Sequence, residues 1–540
     1  MQKLQTLDYV VFLFYFILVS GYGYWIYQRK KSKQASTKDF FLAEGSLTWW
    51  AIGASLIASN ISAEQMIGMS GNGFSMGLAI STYEWMAAAT LIVVGVVFMP
   101  IYLKNKIFTM PQFLNQRYNS TVSLIMAVFW LALYILVNLT SILYLGALAV
   151  SGISGIDFTV CMIGLAIFAI VITIGGMKVI GFTDVIQVFF LIIGGLATTY
   201  LAVTLVSTEY GGLESLTNGL KLMTEKSEDH FHMIFHKGDP HYMALPGLTV
   251  LIGGMWIVNL NYWGCNQYIT QRALGADLKT AREGILFAAF LKLLMPIIVT
   301  LPGIAAYTLY QKGLFQKEML GADGTLNQDN AYPVLLNLLP MGLKGLSFAA
   351  LTAAIVASLA GKANSISTIF TLDIFKNYIG KNASEKHLVW IGRVTIVVSM
   401  ILAIVVSPYM GIDKKGGFQF IQEMTGLLSP GIFASFVMGF FWKRTNSAGA
   451  LFAIVGGFLI ALSLHNNWMP FADWTTVPFL DRMGIVFLIC VAVMFILGFI
   501  LPDEGKGLEI DASMFKVQGI FAFGAVAVIV ILIGLYWYFW

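Results

Sequence analysis

One apolar segment of the chain is interrupted by the polar stretch Ala58-Ser-Asn-Ile-Ser-Ala-Glu-Gln-Met-Ile-Gly-Met-Ser-Gly71. A later apolar segment contains a similar stretch, Gly253-Gly-Met-Trp-Ile-Val-Asn-Leu-Asn-Tyr-Trp-Gly264. A helix that faces lipid has no partners for polar groups, so breaks rich in amides and glycine indicate helices that line a wet interior. The alternative is that these Asn and Ser side chains only form hydrogen bonds between neighbouring helices.

Helix-length apolar segments surround both interruptions. The 540 residues are 58 % hydrophobic and 11 % charged, with a mean hydropathy of +0.78, which excludes a soluble globular protein. A net charge of +4 over this length forms no basic face, so nucleic-acid binding is excluded as well. An apolar segment of about 18 residues can cross a bilayer as a helix. We predict fourteen such helices, centred near Phe16, Ser62, Leu91, Leu133, Leu165, Ile192, Ile257, Pro296, Ile355, Ser399, Ile432, Gly456, Val491 and Val528.

The two interrupted helices are the second and the seventh in this series. Because an odd offset separates them, equivalent helices in the two halves have opposite orientations. This is the pattern of an inverted-topology repeat, in which broken helices from both halves form a binding site at the bilayer centre.

The distribution of Lys and Arg predicts the orientation of the chain. Basic residues accumulate in short cytoplasmic loops, and placing both termini outside assigns to the cytoplasm the loops with Lys30, Lys104, Arg117 and Arg272. The first helix, residues 7–27, lacks a small-residue cleavage site and is predicted to remain as an anchor. We expect a multi-pass protein of the plasma membrane, which is the inner membrane in a Gram-negative bacterium.

Two predicted outward loops, residues 206–244 and 310–331, are long enough to hold structure. The first contains four histidines, His230, His232, His236 and His241. Histidines can bind zinc, but this spacing matches no established site and exposed histidines are common, so zinc binding is the weaker interpretation.

Ionisable and amide side chains recur inside other predicted helices, namely Glu84, Asp184, Lys292, Lys362, Gln422 and Glu423. Charges at bilayer depth are costly unless they face a polar interior, so each is a functional candidate. Amides, a carboxylate and an ammonium suit a polyhydroxyl solute, because each hydroxyl both donates and accepts hydrogen bonds. Tyr262 and Trp263 offer flat faces to a sugar ring. Phosphate-loop, catalytic-triad and metalloprotease motifs are absent from the sequence, which argues against an enzyme.

Four strings within these segments connect the chain to a known family. They are Asn60-Ile-Ser-Ala-Glu-Gln-Met-Ile-Gly-Met-Ser-Gly71, Tyr83-Glu-Trp-Met86, Asn266-Gln-Tyr-Ile269 and Phe418-Gln-Phe-Ile-Gln-Glu423. Over almost its whole length the chain resembles the sodium/solute symporter family, in its sodium/glucose cotransporter branch. The resemblance implies an all-α membrane protein with a LeuT-type core of five plus five helices at residues 45–442. The repeats would be about 45–206 and 246–442, with one helix before them and three after them, at residues 446–540.

The resemblance also implies a sugar site and its gates. The matching sugar-binding residues are Asn60, Gln65, Glu84, Asn259, Lys292 and Gln422. Tyr262 matches the aromatic residue that stacks on the sugar from the cytoplasmic side. The implied outer gate consists of Met69, Tyr83 and Phe418. Ala87 stands where the family's galactose transporter has a serine, which leaves the sugar preference open, and Asn60 and Gln422 have a simpler interpretation as caps of broken backbone.

A sodium site is implied beside the sugar site. Its matching ligands are the carbonyl groups of Ala58, Ile61 and Ala354 and the hydroxyl group of Ser358. The position before this serine is Ala357, which removes one oxygen ligand that the family supplies. Asp184 matches a carboxylate on the inward ion path. Lys362 follows Ser358 by one helical turn, so its ammonium can reach back toward the cation; otherwise it points into the vestibule or pairs with Asp184.

These interpretations predict a secondary active transporter that imports a galactose- or glucose-like hexose by alternating access, with sodium as the coupling ion and no other cofactor. One alternative is a sodium-independent or proton-coupled sugar carrier, and another is a membrane sugar sensor that does not transport. A sensor needs an output module, for which the short cytoplasmic loops leave little room. We expect sugar, sodium and membrane lipid as partners and a functional monomer.

Overall fold

The structure is a computed structural model that describes residues 4–29, 47–175, 177–321, 324–409, 417–502 and 505–540. These residues are helical or irregular, apart from one isolated antiparallel bridge between Leu320 and Leu326. The predicted all-helical fold is confirmed. Every predicted helix centre lies within a helix except Ser62, which lies in a break between two helices. Lys30 and the start of the predicted core at residue 45 lie outside the described residues.

Ten helical segments of the described chain are long and apolar enough to cross a membrane, or up to eleven if a bent pair counts as one span. That pair, Phe418–Gly426 and Ser429–Phe441, bends by 50°. Some of the other predicted spans form short or broken helices, where polar residues and glycines interrupt them. In addition, the continuous helical segment Glu64–Lys104 contains parts of two predicted spans. The count of fourteen and the positions of the termini stay predictions.

The first part of the chain contains the α-helices α1 (Thr6–Arg29), α2 (Trp49–Asn60), α3 (Ser70–Met76), α4 (Thr82–Val93), α5 (Met99–Lys104), α6 (Met110–Arg117), α7 (Ser120–Ala132), α8 (Thr140–Ser154), α9 (Phe158–Thr173) and α10 (Met177–Glu209). Further turns connect them, π-helical at Glu64–Met69, Val94–Phe98 and Leu133–Leu139 and 3-10 at Gly77–Ser81. Three of these helices, α6, α7 and α9, have an N-cap residue directly before their first residue: Thr109, Asn119 and Asp157. Each N-cap side chain accepts a hydrogen bond from a backbone N–H group of the first turn. Such caps satisfy donors that have no partner within a helix.

The second part contains α11 (Leu216–Lys226), α12 (Leu248–Ile252), α13 (Gly254–Gly264), α14 (Gln267–Leu274), α15 (Leu278–Val299), α16 (Leu301–Gln311), α17 (Ala331–Leu336), α18 (Leu343–Thr368), α19 (Glu385–Val406), α20 (Gly417–Gly426), α21 (Ser429–Phe441), α22 (Ser447–Leu451), α23 (Gly457–His465), α24 (Phe479–Ile500) and α25 (Gly519–Tyr538). Further π-helical turns are Ile369–Ile379 and Phe452–Gly456. Helix α2 packs against α10, α15 and α18, and α1 packs against α10 and α18. The first interrupted helix therefore lies inside the bundle.

The first predicted break is confirmed at the end of α2. Ile61 has an extended backbone, with φ −81° and ψ 105°, and the chain then resumes as the π-helical turn Glu64–Met69. Gln65 Oε1 accepts hydrogen bonds from the Ser62 backbone N, at 3.2 Å, and from Ser62 Oγ, at 3.3 Å. These side-chain bonds replace helical ones, so the broken backbone is tolerated inside the membrane.

The second predicted break is confirmed only at Gly253, between α12 and α13. Asn259 and Asn261, which contributed to that prediction, lie in regular helix. Asn259 Nδ2 donates to the Met255 carbonyl at 3.2 Å, and Asn261 Nδ2 donates to Ser429 Oγ at 3.0 Å. Because their side-chain amides find partners without unwinding the backbone, these asparagines do not break the helix.

The histidine-containing loop has structure of its own, including α11 and the 3-10 turn Glu228–His230. His230 Nε2 donates to the Phe74 carbonyl at 3.0 Å, and its ring stacks on Tyr307 with centroids 3.7 Å apart. Burial lowers the pKa of His241. Over the described ranges, no group of three or more His, Cys, Asp or Glu side chains is placed to hold a metal ion. The zinc interpretation of this loop therefore has no structural support.

Candidate functional site

A small cavity of about 60 Å³ lies between the two interrupted helices. Its lining residues come from both halves of the chain: Asn60, Glu64, Gln65, Tyr83, Glu84, Ala87, Asn138, Val258, Asn259, Tyr262, Trp263, Asn266, Lys292, Lys362, Phe418, Ile421, Gln422 and Thr425. The six predicted sugar-binding residues all line this one cavity, together with three of the four predicted gate residues.

A buried cluster of charged and amide groups forms one part of the wall. The Lys292 ammonium donates hydrogen bonds to Asn60 Oδ1 and to Glu84 Oε2, and the side chains of Lys292 and Glu84 are almost fully buried. Lys292 Nζ also lies 5.3 Å from the centre of the Trp263 ring. Because each charge has a counter-charge, the pair can remain ionised in this environment.

Tyr262 joins this cluster to the rest of the cavity. Asn60 Nδ2 donates to Tyr262 Oη at 3.2 Å, so the tyrosine ring is oriented by the amide at the break of α2. The ring meets the neighbouring Trp263 ring edge-on, with centroids 5.2 Å apart. This arrangement presents aromatic surface to the cavity, as the stacking prediction requires.

The predicted outer gate is only partly assembled around the cavity. The rings of Tyr83 and Phe418 meet edge-on with centroids 5.0 Å apart, and both residues line the cavity. At Gly68 a Cβ atom would lie 2.8 Å from Phe418 Cβ, so glycine permits this close approach of α20. Met69 is fully buried in the same π-helical turn but is not a lining residue.

Two of the predicted sodium ligands, the Ala58 carbonyl and the Ser358 hydroxyl, lie close together where α18 packs against α2. Ser358 Oγ lies 3.3 Å from the Ala58 carbonyl oxygen and 3.2 Å from the Ser59 carbonyl oxygen. Ile61 and Ala354 are buried on the same two segments. Backbone carbonyls and one hydroxyl are the hard oxygen ligands that sodium needs, and Ala357 adds none.

Asp184 belongs to a separate buried cluster. Its Oδ2 accepts a hydrogen bond from Ser55 Oγ at 2.5 Å, and Arg272 Nε donates to the Ser55 carbonyl and hydroxyl at 3.1 and 2.9 Å. Arg272 is 1 % exposed, although the sequence placed it in a cytoplasmic loop. A Cβ at Gly361 would lie 2.5 Å from its guanidinium, so this glycine on α18 makes room for the arginine.

The structure places Lys362 at the wall of this cavity instead of beside Asp184. Its Nζ donates to Asn138 Oδ1 at 3.0 Å. Among the described residues Lys362 and Asp184 form no ion pair, so this nitrogen lies more than 4.0 Å from both Asp184 carboxylate oxygens. The suggested pairing with Asp184 is therefore wrong, because the side chain turns toward the helix that carries Asn138.

Glu64 and Asn138 are among the lining residues that were not predicted as part of the site. Glu64 stands in the quoted polar stretch directly before Gln65, and its charge within an apolar segment was the available signal. Asn138 is a single amide in an otherwise apolar segment, in the π-helical turn Leu133–Leu139. Such turns are frequent at functional sites, but hydropathy alone does not locate them.

Comparison with known proteins identifies similar sequences and similar folds. The family model described as "Sodium:solute symporter family" matches residues 40–457. The chain is 47 % identical to a sodium/glucose cotransporter of Vibrio parahaemolyticus, covering 99 % of both chains. It is 35 % identical to a human sodium/myo-inositol cotransporter 2, covering 85 % of this chain and 70 % of the relative.

Two solved structures share the fold at low sequence identity. A Na+-coupled sialic acid symporter in a substrate-bound outward-open state gives a TM-score of 0.79 at 22 % identity, covering 92 % of this chain and 99 % of the other. A nucleobase-cation-symport-1 family transporter in a closed conformation gives a TM-score of 0.51 at 14 % identity, with coverages of 88 % and 98 %. Both likenesses concern the architecture of the helical bundle.

Proposed function

The chain belongs to the sodium:solute symporter family, and from that premise we propose that it imports a galactose- or glucose-like hexose by alternating access. As a member of this family it is a multi-pass membrane protein and a sodium-coupled symporter, not an enzyme. Because members of this family are sodium-coupled symporters, we set aside the sodium-independent and proton-coupled carriers and the membrane sugar sensor. The sugar, the direction of transport and the residues that perform it are the proposal.

The charge balance of the cavity is the observation that carries the proposal. Its lining includes two carboxylates and two ammonium groups, from Glu64, Glu84, Lys292 and Lys362. A site with balanced charges and several amides favours a neutral solute with many hydroxyls, since a charged solute would leave one sign without a partner. Two of the relatives reported above carry names of sodium-coupled transporters for glucose and for myo-inositol, which are both polyhydroxyl compounds.

The roles proposed for individual residues follow from the family resemblance, and all six residues proposed to bind sugar line the cavity. Asn60, Gln65, Glu84, Asn259, Lys292 and Gln422 bind sugar hydroxyls. Tyr262 covers the sugar on the cytoplasmic side, and Tyr83 and Phe418, with Met69 behind them, close the outer side. Ala58, Ile61, Ala354 and Ser358 bind sodium, and Asp184 lies on its inward path.

The finer architecture belongs to the same proposal. It consists of fourteen transmembrane helices with both termini outside and a LeuT-type inverted repeat at residues 45–442, with repeats of about 45–206 and 246–442. One helix precedes this core at residues 7–27, and three follow at 446–540. The protein would act as a monomer, in the inner membrane if its source is a Gram-negative bacterium.

An inward sodium gradient is expected to drive accumulation of labelled galactose or glucose in proteoliposomes. One sodium ion moving through 100 mV supplies about 2.3 kcal/mol, which is enough for severalfold accumulation of a neutral solute. A potassium gradient and a proton gradient of equal size serve as controls and should drive none. Accumulation with a proton gradient in sodium-free buffer, or failure of both hexoses and myo-inositol to accumulate, would contradict the proposal.

Substitution of Tyr262 separates the contribution of the ring from that of the hydroxyl. Tyr262→Phe keeps the ring and loses one hydrogen bond from Asn60, so hexose affinity should fall by about 2- to 10-fold. Tyr262→Ala removes the stacking surface and should cost about 30-fold or more. Equilibrium binding to the purified variants measures both, with Tyr200→Ala, at an exposed tyrosine on α10, as the control. Equal affinities of all four proteins would exclude stacking on Tyr262.

A further inference from the structure

A second polar cluster lines the cavity, separate from the one around Lys292. It consists of Glu64, Asn138 and Lys362, which come from two π-helical turns and from α18. The three residues are far apart in sequence and meet only at the cavity wall.

The Lys362 ammonium is held in a fixed position. The side chain is 4 % exposed, and its Nζ donates to Asn138 Oδ1 at 3.0 Å. The same nitrogen lies 4.2 Å from the centre of the Tyr268 ring, with the Tyr134 and Tyr262 rings at 5.5 and 5.8 Å. An amide oxygen and three aromatic faces therefore stabilise the charge where it borders the cavity.

Glu64 supplies the opposite charge without touching this ammonium. Its Oε1 is buried and has no hydrogen-bond partner in the described part of the chain. Of the described lysine and arginine nitrogens, none lies within 4.0 Å of a Glu64 oxygen. A buried carboxylate oxygen without a donor is costly, and Glu64 and Lys362 both line the cavity without forming an ion pair in the described residues, so one ligand group could serve both.

A hydroxyl group suits this pair of opposite charges better than a charged group does. It can donate to Glu64 and accept from Lys362 at the same time, whereas a ligand carboxylate would face Glu64 and a ligand amine would face Lys362. We propose that Glu64 and Lys362 form a hydroxyl subsite that bridges one hydroxyl of the transported sugar. This proposal rests on the proposed sugar transport and adds a specificity-determining pair to the same cavity.

A set of monodeoxy hexoses tests the subsite directly. Binding of galactose, glucose and their 2-, 3-, 4- and 6-deoxy analogues is measured at saturating sodium for wild type, Lys362→Met and Glu64→Gln. Lys362→Met should weaken binding of the parent hexose by about 10- to 100-fold, because a hydrogen bond to a charged group is lost. One deoxy analogue should bind wild type and Lys362→Met equally, since the bridging hydroxyl is missing in both complexes.

The same deoxy analogue should also bind wild type and Glu64→Gln equally. This result would assign both residues to one sugar hydroxyl. Glu64→Gln keeps the side-chain shape and carries the test if Lys362→Met does not fold. Lys443→Met, at an exposed lysine between α21 and α22, is the matched control and should bind every sugar as wild type does.

Three results would overturn the subsite. If Lys362→Met weakens every analogue by the same factor, Lys362 supports the cavity without contacting the sugar. If it leaves sugar binding unchanged and shifts only the sodium activation curve, Lys362 serves the ion site. If wild type binds no hexose and no myo-inositol, the proposed function fails and the subsite fails with it, which distinguishes that outcome from the first two.

Discussion

Glu84→Ala is expected to weaken sugar binding by about 100-fold. The Glu84 carboxylate lines the cavity and is the counter-charge of Lys292. Its removal takes away an acceptor for sugar hydroxyls and leaves the buried Lys292 ammonium with Asn60 as its remaining hydrogen-bonded partner among the described residues. Equilibrium binding of labelled hexose to the purified protein at saturating sodium measures the loss.

Two further variants separate binding from folding. Glu84→Gln keeps the side-chain shape, so it should fold as wild type does and still bind sugar weakly, because it no longer offers a charged acceptor. Glu423→Gln is the control. Glu423 is another carboxylate predicted within the membrane, on α20, and its side chain lines a different cavity, so this variant should keep wild-type sugar affinity. Wild-type affinity in Glu84→Ala would remove Glu84 from the sugar site.

Arg117→Met is expected to lower the free energy of unfolding by about 3 kcal/mol or more. Arg117 is 1 % exposed and donates to the carbonyl oxygens of Gly439, Trp442, Lys443 and Thr445 at 2.8, 2.9, 3.1 and 3.2 Å. These groups end α21 and begin the following loop, where carbonyls lack helical partners and a positive charge is favourable. Methionine fills similar space but leaves the carbonyls without donors.

The stability change is measured as the shift in unfolding of the purified protein in detergent. Arg444→Met is the matched control, because Arg444 lies in the same loop but is exposed, with its guanidinium 4.9 Å from the Phe499 ring centre. The control should change stability by about 1 kcal/mol at most. If both variants unfold alike, the buried hydrogen bonds of Arg117 do not stabilise the end of α21.

The candidate site was predictable to the extent that its residues interrupt apolar segments. Asn60, Gln65 and Glu84 stand out in this way, and Lys292 is a charge within a helix of 22 residues. Because an intramembrane charge is tolerated only in a polar interior, the sequence showed that these side chains face one. It did not show that Glu84 and Lys292 are partners, since 208 positions separate them.

The positions of basic residues illustrate the limit of sequence reasoning. Charge counting treated Arg117 and Arg272 as cytoplasmic loop residues, and both are buried in the structure. For Lys362 the sequence left three positions open, near the cation, in the vestibule or beside Asp184, and its contact with Asn138, 224 positions away, was not among its predictions. A long side chain has several rotamers, and the one adopted depends on partners that other helices supply.

The sequence by itself determined the helices and the place of the first break. Backbone hydrogen bonds within a helix join residues a few positions apart, and local hydropathy decides which helices enter the membrane, so both can be read along the chain. Only the tertiary structure decided which polar groups meet. Glu64 and Lys362 line the same cavity because π-helical turns and α18 pack at particular rotations. Those rotations are set by contacts among distant segments, whose energies no local pattern encodes.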